Sequence, residues 1–214
     1  QAANNLRADQ ALDAWSAAAQ LVARWLDRRE RVDALLETLP NSISGLERAR
    51  CQHLFLGVVR HFGRLDSALG RLIAHPPRFT THAILLLAGF EILESAGETG
   101  RIAKTVHHAV ERTKELSSPA EARMVNAVVR KLAPPLAVPP PPKLAEAAVL
   151  AAFFSHPEWL VARWLRQLGA PVKLLVPLGG ATGEVVGRLI REVSRQRQVL
   201  CITHLAPVAA HGEG

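Results

Sequence analysis

Ala83-Ile84-Leu85-Leu86-Leu87-Ala88-Gly89-Phe90, closed by Glu91 and followed by Ile92 and Leu93, is the most apolar continuous stretch of the chain. A segment that is hydrophobic on every side belongs inside on every side. Its length of about 11 residues falls short of the roughly 20 that a bilayer requires. Short linkers and a 3.6-residue spacing of apolar positions on both flanks favour a buried helix over a buried strand. The stretch predicts the central helix of an all-α body, wrapped by helices with one apolar face each. Glu91, at its end, reads as a buried carboxylate held in a structural ion pair.

Toward the N-terminus, Leu12, Trp15, Ala19, Val22 and Leu26 recur at three and four residues and predict an amphipathic helix of about four turns. Arg24, Arg28, Arg29 and Arg31 crowd its end, where they either complement the helix dipole or contact RNA. Val32, Leu35, Leu36 and Leu39 form a shorter helix stopped by Pro40 and Asn41. The cleanest apolar stripe is Cys51, Leu54, Phe55, Val58, Val59 and Phe62, and Cys51 reads as a packed thiol on it. Leu65, Leu69, Leu72 and Ile73 predict another helix, up to His75-Pro76-Pro77.

Toward the C-terminus, Gly97 and Gly100 end the central helix. Ile102, Val106, Ala109, Val110 and Thr113 mark the next one. Pro119 stands near the start of another, which carries Val125, Val128, Val129 and Leu132 on one side and Arg123, Arg130 and Lys131 elsewhere. The adjacent His107 and His108 point about 100° apart on a helix and are poorly placed to share a metal. Pro134, Pro135 and Pro139 to Pro142 predict a stiff linker over 134–143, closing a first module at 133. A helical connector is expected over 144–170, where Ser155-His156-Pro157-Glu158 has capping-box spacing ahead of Trp159, Leu160, Trp164, Leu165 and Leu168. Over 171–214 the character changes: β-prone runs at 172–178 and 199–203 flank the helically spaced Val185, Val186, Leu189, Ile190 and Val193. That tail predicts a short α/β-like piece.

A 214-residue chain that is 49% hydrophobic is not disordered. The net charge of +7 favours a polyanionic partner, of which nucleic acid is the usual one. Cys51 and Cys201 lie far apart and outside any CxxC, which argues against a disulfide scaffold or zinc site and for a reducing, cytoplasmic setting. No signal-peptide or membrane-span pattern occurs, so no membrane partner is expected. The first residue is Gln1 and not Met, which implies that a natural N-terminus lies upstream.

Four motifs stand in a specific order: Leu56-Gly57-Val58-Val59-Arg60 with Leu65-Asp66; the 83–91 stretch; Thr105-Val106-His107-His108-Ala109-Val110-Glu111; and Met124-Val125-Asn126-Ala127-Val128-Val129-Arg130-Lys131-Leu132. That order resembles the NusB family of all-α RNA-binding domains. The proline-rich linker and Phe154-Ser155-His156-Pro157-Glu158-Trp159-Leu160-Val161-Ala162-Arg163-Trp164 resemble the small-subunit rRNA cytosine-5 methyltransferases of the RsmB type. In those enzymes a NusB-like domain and this segment precede the methyltransferase domain. The resemblance covers residues 6–170 and implies a NusB-like helical bundle that recognises small-subunit rRNA. AdoMet would serve the parent enzymes' catalytic domain. Three departures are visible: His107-His108 replaces the usual Asn-Glu, Leu86 stands where arginine is common, and the N-terminal Arg-rich segment is reduced to Arg7.

The tail resembles another family. Gly179-Gly180-Ala181-Thr182-Gly183-Glu184-Val185-Val186-Gly187-Arg188-Leu189 and Gln198-Val199-Leu200-Cys201-Ile202-Thr203-His204-Leu205-Ala206-Pro207 are similar to the C-terminal ATPase region of RecN-type DNA repair proteins, with His204 matching the histidine near the γ-phosphate. No GxxxxGK[ST] occurs to cradle phosphates, and no Walker B pair precedes Gly179. A methyltransferase site fares no better. Gly179-Gly180 lacks an acidic partner at ribose distance, and Cys201 is not in the Pro-Cys or Thr-Cys setting of a base-attacking nucleophile.

No catalytic, cofactor-binding or metal-binding residue is therefore expected in this chain. The expected RNA-contacting residues are Arg7, Arg24, Arg28, Arg60, Arg64, Arg130 and Lys131. Two alternatives stand beside this reading. One is a protein-interaction scaffold of the transcription-antitermination type. The other is a fusion or truncated reading frame, motivated by two unrelated resemblances that meet near residue 171.

Overall fold

The computed structural model describes residues 13–139, 141, 146–168 and 191. Arg7 and the expected strand–helix–strand of the tail lie outside the described residues. Among those described, all regular structure is helical, in nine helices. The chain divides into two compact units, Gln1–Val172 and Lys173–Gly214, and every one of the nine helices belongs to the first.

α1 (Ala14–Arg28) starts where the Asp13 carboxylate accepts from the amides of Trp15 (3.0 Å) and Ser16 (3.2 Å). A short α2 (Val32–Glu37) follows, then α3 (Gly45–Gly70), capped by the Ser44 hydroxyl accepting from the Glu47 amide. Glu47 in turn accepts from the Ala14 amide at 2.7 Å, so the two helix starts are fastened together. At the other end Trp25 meets Phe62 edge-on at 5.0 Å, so α1 and α3 run parallel.

α4 (Phe79–Glu94) is the predicted central helix, and all residues from Ala83 to Phe90 are buried. It runs antiparallel to α3: Glu94 lies 2.9 Å from His53 at one end, and His82 lies 3.0 Å from Asp66 at the other. α5 (Thr99–Leu116) and α6 (Pro119–Arg130) cover its remaining sides. α6 opens with a serine N-cap and proline in its first turn, the Ser118 hydroxyl accepting from the Glu121 amide at 3.2 Å. The buried Thr81 hydroxyl donates to Glu121 at 2.9 Å, tying the starts of α4 and α6. α7 (Ala133–Leu136), α8 (Ala147–Phe154) and α9 (Glu158–Leu168) complete the unit, with α8 packed on α3.

Several local expectations are corrected. The stripe at 51–62 and Leu65 and Leu69 of the next belong to one continuous helix, not two, which ends at Gly70 ahead of Leu72 and Ile73. Gly63 lies inside it and leaves room for the connector backbone, since a Cβ there would be 3.0 Å from the Ala152 carbonyl oxygen. Gly100 lies inside α5, and the turn after α4 is made by Ala96 (φ 50°) and Gly97 (φ 86°). Pro134 and Pro135 form part of α7 and do not begin an extended linker, because Leu132 and Leu136 on either side are drawn into the core. Ser155 does not cap α9. It ends α8 in the left-handed region (φ 58°), while the Pro157 carbonyl receives the first amides of α9, from Leu160 and Val161. Glu91 closes no salt bridge among the described residues. Burial raises its carboxyl above the usual carboxylate range, and the Trp15 indole N–H is turned toward it without completing a hydrogen bond of ordinary geometry.

Close helix contact depends on Gly57. A Cβ there would fall within the Phe90 ring, which is itself held between His53 (5.5 Å) and His61 (5.9 Å). Gly57→Ala gains up to about 1 kcal/mol in helix propensity. Overpacking against a ring that cannot swing aside costs about 1–3 kcal/mol and should win. Gly100→Ala, with nothing within 4 Å of its Cβ, should stabilise instead. Urea denaturation of the two variants should move in opposite directions.

Candidate nucleic-acid interface

The expected RNA-contacting residues other than Arg7 fall into two groups on opposite flanks of α3. Phe62 faces α1, and Arg60, two residues earlier, projects about 200° around the helix from it. The α1 group is largely compensated. Arg24 pairs with Glu30 at 2.8 Å and donates to the Thr38 hydroxyl at 3.0 Å. Arg28 is exposed and 3.5 Å from Asp27, and Arg31 forks onto Asp33.

The second group is carried by α3 and by the end of α6. Leu65 of α3 and Leu132 beyond α6 both face Gly89 of α4, which brings the α6 terminus level with the Leu65 turn of α3. Arg60 and Lys131 are exposed and have no carboxylate partner among the described residues. Arg130 is exposed, its Nε donating to Asn126 Oδ1 at 2.9 Å.

Arg64 is the exception in this group, because its guanidinium is committed to the fold. Its Nη2 donates to the carbonyls of Leu136 (2.6 Å) and Val138 (3.4 Å), and its cation lies 4.4 Å from the Phe153 ring centre. Its backbone amide donates to the Ser155 hydroxyl at 3.2 Å. Burial lowers its pKa, though an arginine stays charged at neutral pH. One residue thus clasps α3, α7 and α8 together.

The histidines and Cys51 are set by burial. Burial first, then the Arg64 and Arg60 charges, lower the pKa of His61, leaving it a neutral ring stacked on Phe90. His108 is likewise lowered by burial and Arg112, and accepts from Arg112 Nε at 3.3 Å. Its neighbour His107 is exposed. Cys51 is fully buried and its thiol is pushed up to about 11, a packed core thiol and not a nucleophile. Among the described residues no cluster of three or more His, Cys, Asp and Glu side chains could hold a metal.

Two features went unnoticed in the sequence. Arg112 reaches from α5 to the Asp13 cap of α1 at 3.2 Å while also pairing with Glu115 at 2.7 Å. Arg29 lies against Trp25 and Phe62. The second had a signal, an arginine four residues after a tryptophan at a helix end. The first had none, because residues 13 and 112 are brought together only by the packing of α5 on α1.

The described architecture is an all-α bundle around one apolar helix. The NusB family profile matches residues 8–134, and the chain belongs to the NusB family. The chain is also similar to ribosomal RNA small subunit methyltransferase B of Citrobacter koseri, 26% identical over 152 residues, covering 69% of this chain and 34% of that protein. The protein of the same name from Salmonella arizonae is 26% identical over 164 residues, 75% of this chain and 34% of its own length. A short stretch of 37 residues is 54% identical to DNA repair protein RecN of Haemophilus influenzae, covering 17% of this chain and 7% of that protein. The chain spans about a third of the length of the methyltransferase relatives. Among the described residues no helix is long and apolar enough to cross a membrane.

Arg64→Ala should release the connector, costing about 1–3 kcal/mol from lost charged hydrogen bonds and cation–π contact. Limited proteolysis should then cut between α7 and α8 faster than in the parent chain. The Asp13 cap predicts an acid-sensitive contribution. Burial works to raise its carboxyl, but hydrogen bonds from Ser16 and Trp15 and the Arg112 charge outweigh it and leave the pKa lowered. Such a group stabilises the fold above the ordinary aspartate pKa and loses that contribution as pH falls through its lowered folded value. Asp13→Ala should cost about 0.5–2 kcal/mol at neutral pH. Urea titrations should show the difference shrinking on acidification.

Proposed function

We propose that this chain is an RNA-recognition module of the rRNA cytosine-5 methyltransferase line, binding small-subunit rRNA in the cytoplasm. The observation that supports the reading is a NusB-family bundle in which Arg60 on α3 and Arg130 and Lys131 at the end of α6 are exposed and free of carboxylate partners among the described residues. The name of its methyltransferase relatives supports the choice of ribosomal RNA. These three side chains would contact backbone phosphates, joined by Arg28 and by Arg7. Contacts of that kind set affinity and register and leave sequence reading to other groups. Arg24 and Arg64 contribute mainly by holding helices in place, through Glu30 and through the α7–α8 clasp. AdoMet and the methyl-transfer chemistry would belong to the catalytic domain of the parent enzymes, and this chain's own residues are assigned no cofactor.

Filter binding of a small-subunit rRNA fragment at two salt concentrations tests this. Affinity should fall as salt rises, since cations replace counterions on the phosphates. In the triple variant Arg60→Ala, Arg130→Ala, Lys131→Ala the slope of log affinity against log salt should shrink by about 2. Absent or salt-independent binding sinks the proposal.

A second reading, protein docking, is favoured by Trp159 and Val149, which are 66% and 48% exposed on the connector. It requires a partner that stays bound after nuclease treatment, and a partner lost with the RNA excludes it.

A further inference from the structure

Arg29 occupies a position where glycine is the usual residue. It follows α1 in the left-handed region (φ 52°, ψ 34°), its amide donating to the Trp25 carbonyl at 3.0 Å. A side chain there costs about 1–2 kcal/mol relative to ordinary backbone. The helix dipole does not require it, because Arg28 already supplies a cation in the last turn. Nor does an ion pair. Arg24, Arg28 and Arg31 each have a carboxylate, in Glu30, Asp27 and Asp33, whereas Arg29 has none among the described residues.

The Arg29 guanidinium lies instead 5.1 Å from the centre of the Trp25 ring and 5.6 Å from that of Phe62. The two rings meet at 87° and 5.0 Å, both half-buried, while Arg29 is exposed. A planar cation supported by two fixed aromatic rings and open on its outer side matches what an unpaired nucleobase stacks on. The surrounding charges alternate in sign, which suits one base of a single strand better than the dense phosphates of a duplex. Exposed pairs such as Arg28–Asp27 are weak, so the rim arginines can exchange a carboxylate for a neighbouring phosphate.

We propose that Trp25, Phe62 and Arg29 form a stacking site for one unpaired RNA base, with Arg28 and Arg31 at its rim. The site rests on the RNA-recognition reading and lies on the opposite flank of α3 from Arg60. It therefore adds a preference for single strands to an otherwise shape-blind phosphate grip.

The test compares a short single-stranded oligoribonucleotide with a duplex of the same length, by fluorescence anisotropy at fixed salt. Arg29→Gly removes the side chain and relieves the left-handed backbone, so the variant should melt no lower than the parent chain. It should bind the single strand about tenfold more weakly and the duplex almost unchanged. Arg29→Lys keeps the charge but not the planar face and should lose nearly as much. The triple variant at Arg60, Arg130 and Lys131 should weaken both RNAs alike. Parent-level single-strand binding by Arg29→Gly would overturn the stacking site while leaving RNA recognition intact. So would full retention by Arg29→Lys, since charge alone would then suffice. Failure of the parent chain to bind either RNA would overturn both.

Discussion

A helix without a polar face leaves its neighbours no choice. From Ala83 to Phe90 no side chain of α4 can accept or donate a hydrogen bond, so every surrounding helix must turn an apolar stripe toward it. Each buried leucine, isoleucine or phenylalanine contributes about 1.5–3 kcal/mol by leaving water. Polar side chains return only at the helix ends, where Thr81 bonds Glu121, His82 meets Asp66 and Glu94 meets His53. Glycine makes the close approach possible. Gly57 admits the Phe90 ring, and Gly89 admits Leu65 and Leu132.

That inward demand orders the outside. With apolar faces committed to α4, the charged residues are left on the outer surfaces, and the direction of each helix decides which of them become neighbours. α6 runs parallel to α4 and ends level with the Leu65 turn of α3, leaving Arg130 and Lys131 exposed at its end. α1 runs along the opposite flank, where Arg24, Arg28 and Arg31 lie beside carboxylates and Arg29 lies against Trp25 and Phe62. Among the described residues the exposed cations thus differ in character: Arg60, Arg130 and Lys131 have no carboxylate partner, while Arg28 and Arg31 beside the aromatic–arginine stack are charge-balanced.

Arg64 shows how one side chain serves fold and connector together. A guanidinium has five donors in a fixed plane, enough to satisfy two carbonyls of the chain leaving α7 while covering Phe153. The connector is thereby held to the bundle by the same helix turn that presents Arg60 to solvent.

Much of this was legible in the sequence. Apolar periodicity marked α1, α5 and α6, the uniform apolarity of 83–90 marked the buried helix, and motif order marked the NusB family, because burial pattern and helix period are local properties of a chain. Boundaries set by packing were not legible: Gly63 and the Pro134-Pro135 pair look like breaks, yet both lie within helices, Gly63 against the Ala152 carbonyl and the prolines between the buried Leu132 and Leu136. Ser155 looked like a helix start and proved to be a helix end. The sequence by itself determined which residues form helices and which must be buried. Only the tertiary structure decided which arginines remain available to a partner, because a cation's freedom depends on carbonyls, carboxylates and rings brought to it from distant parts of the chain.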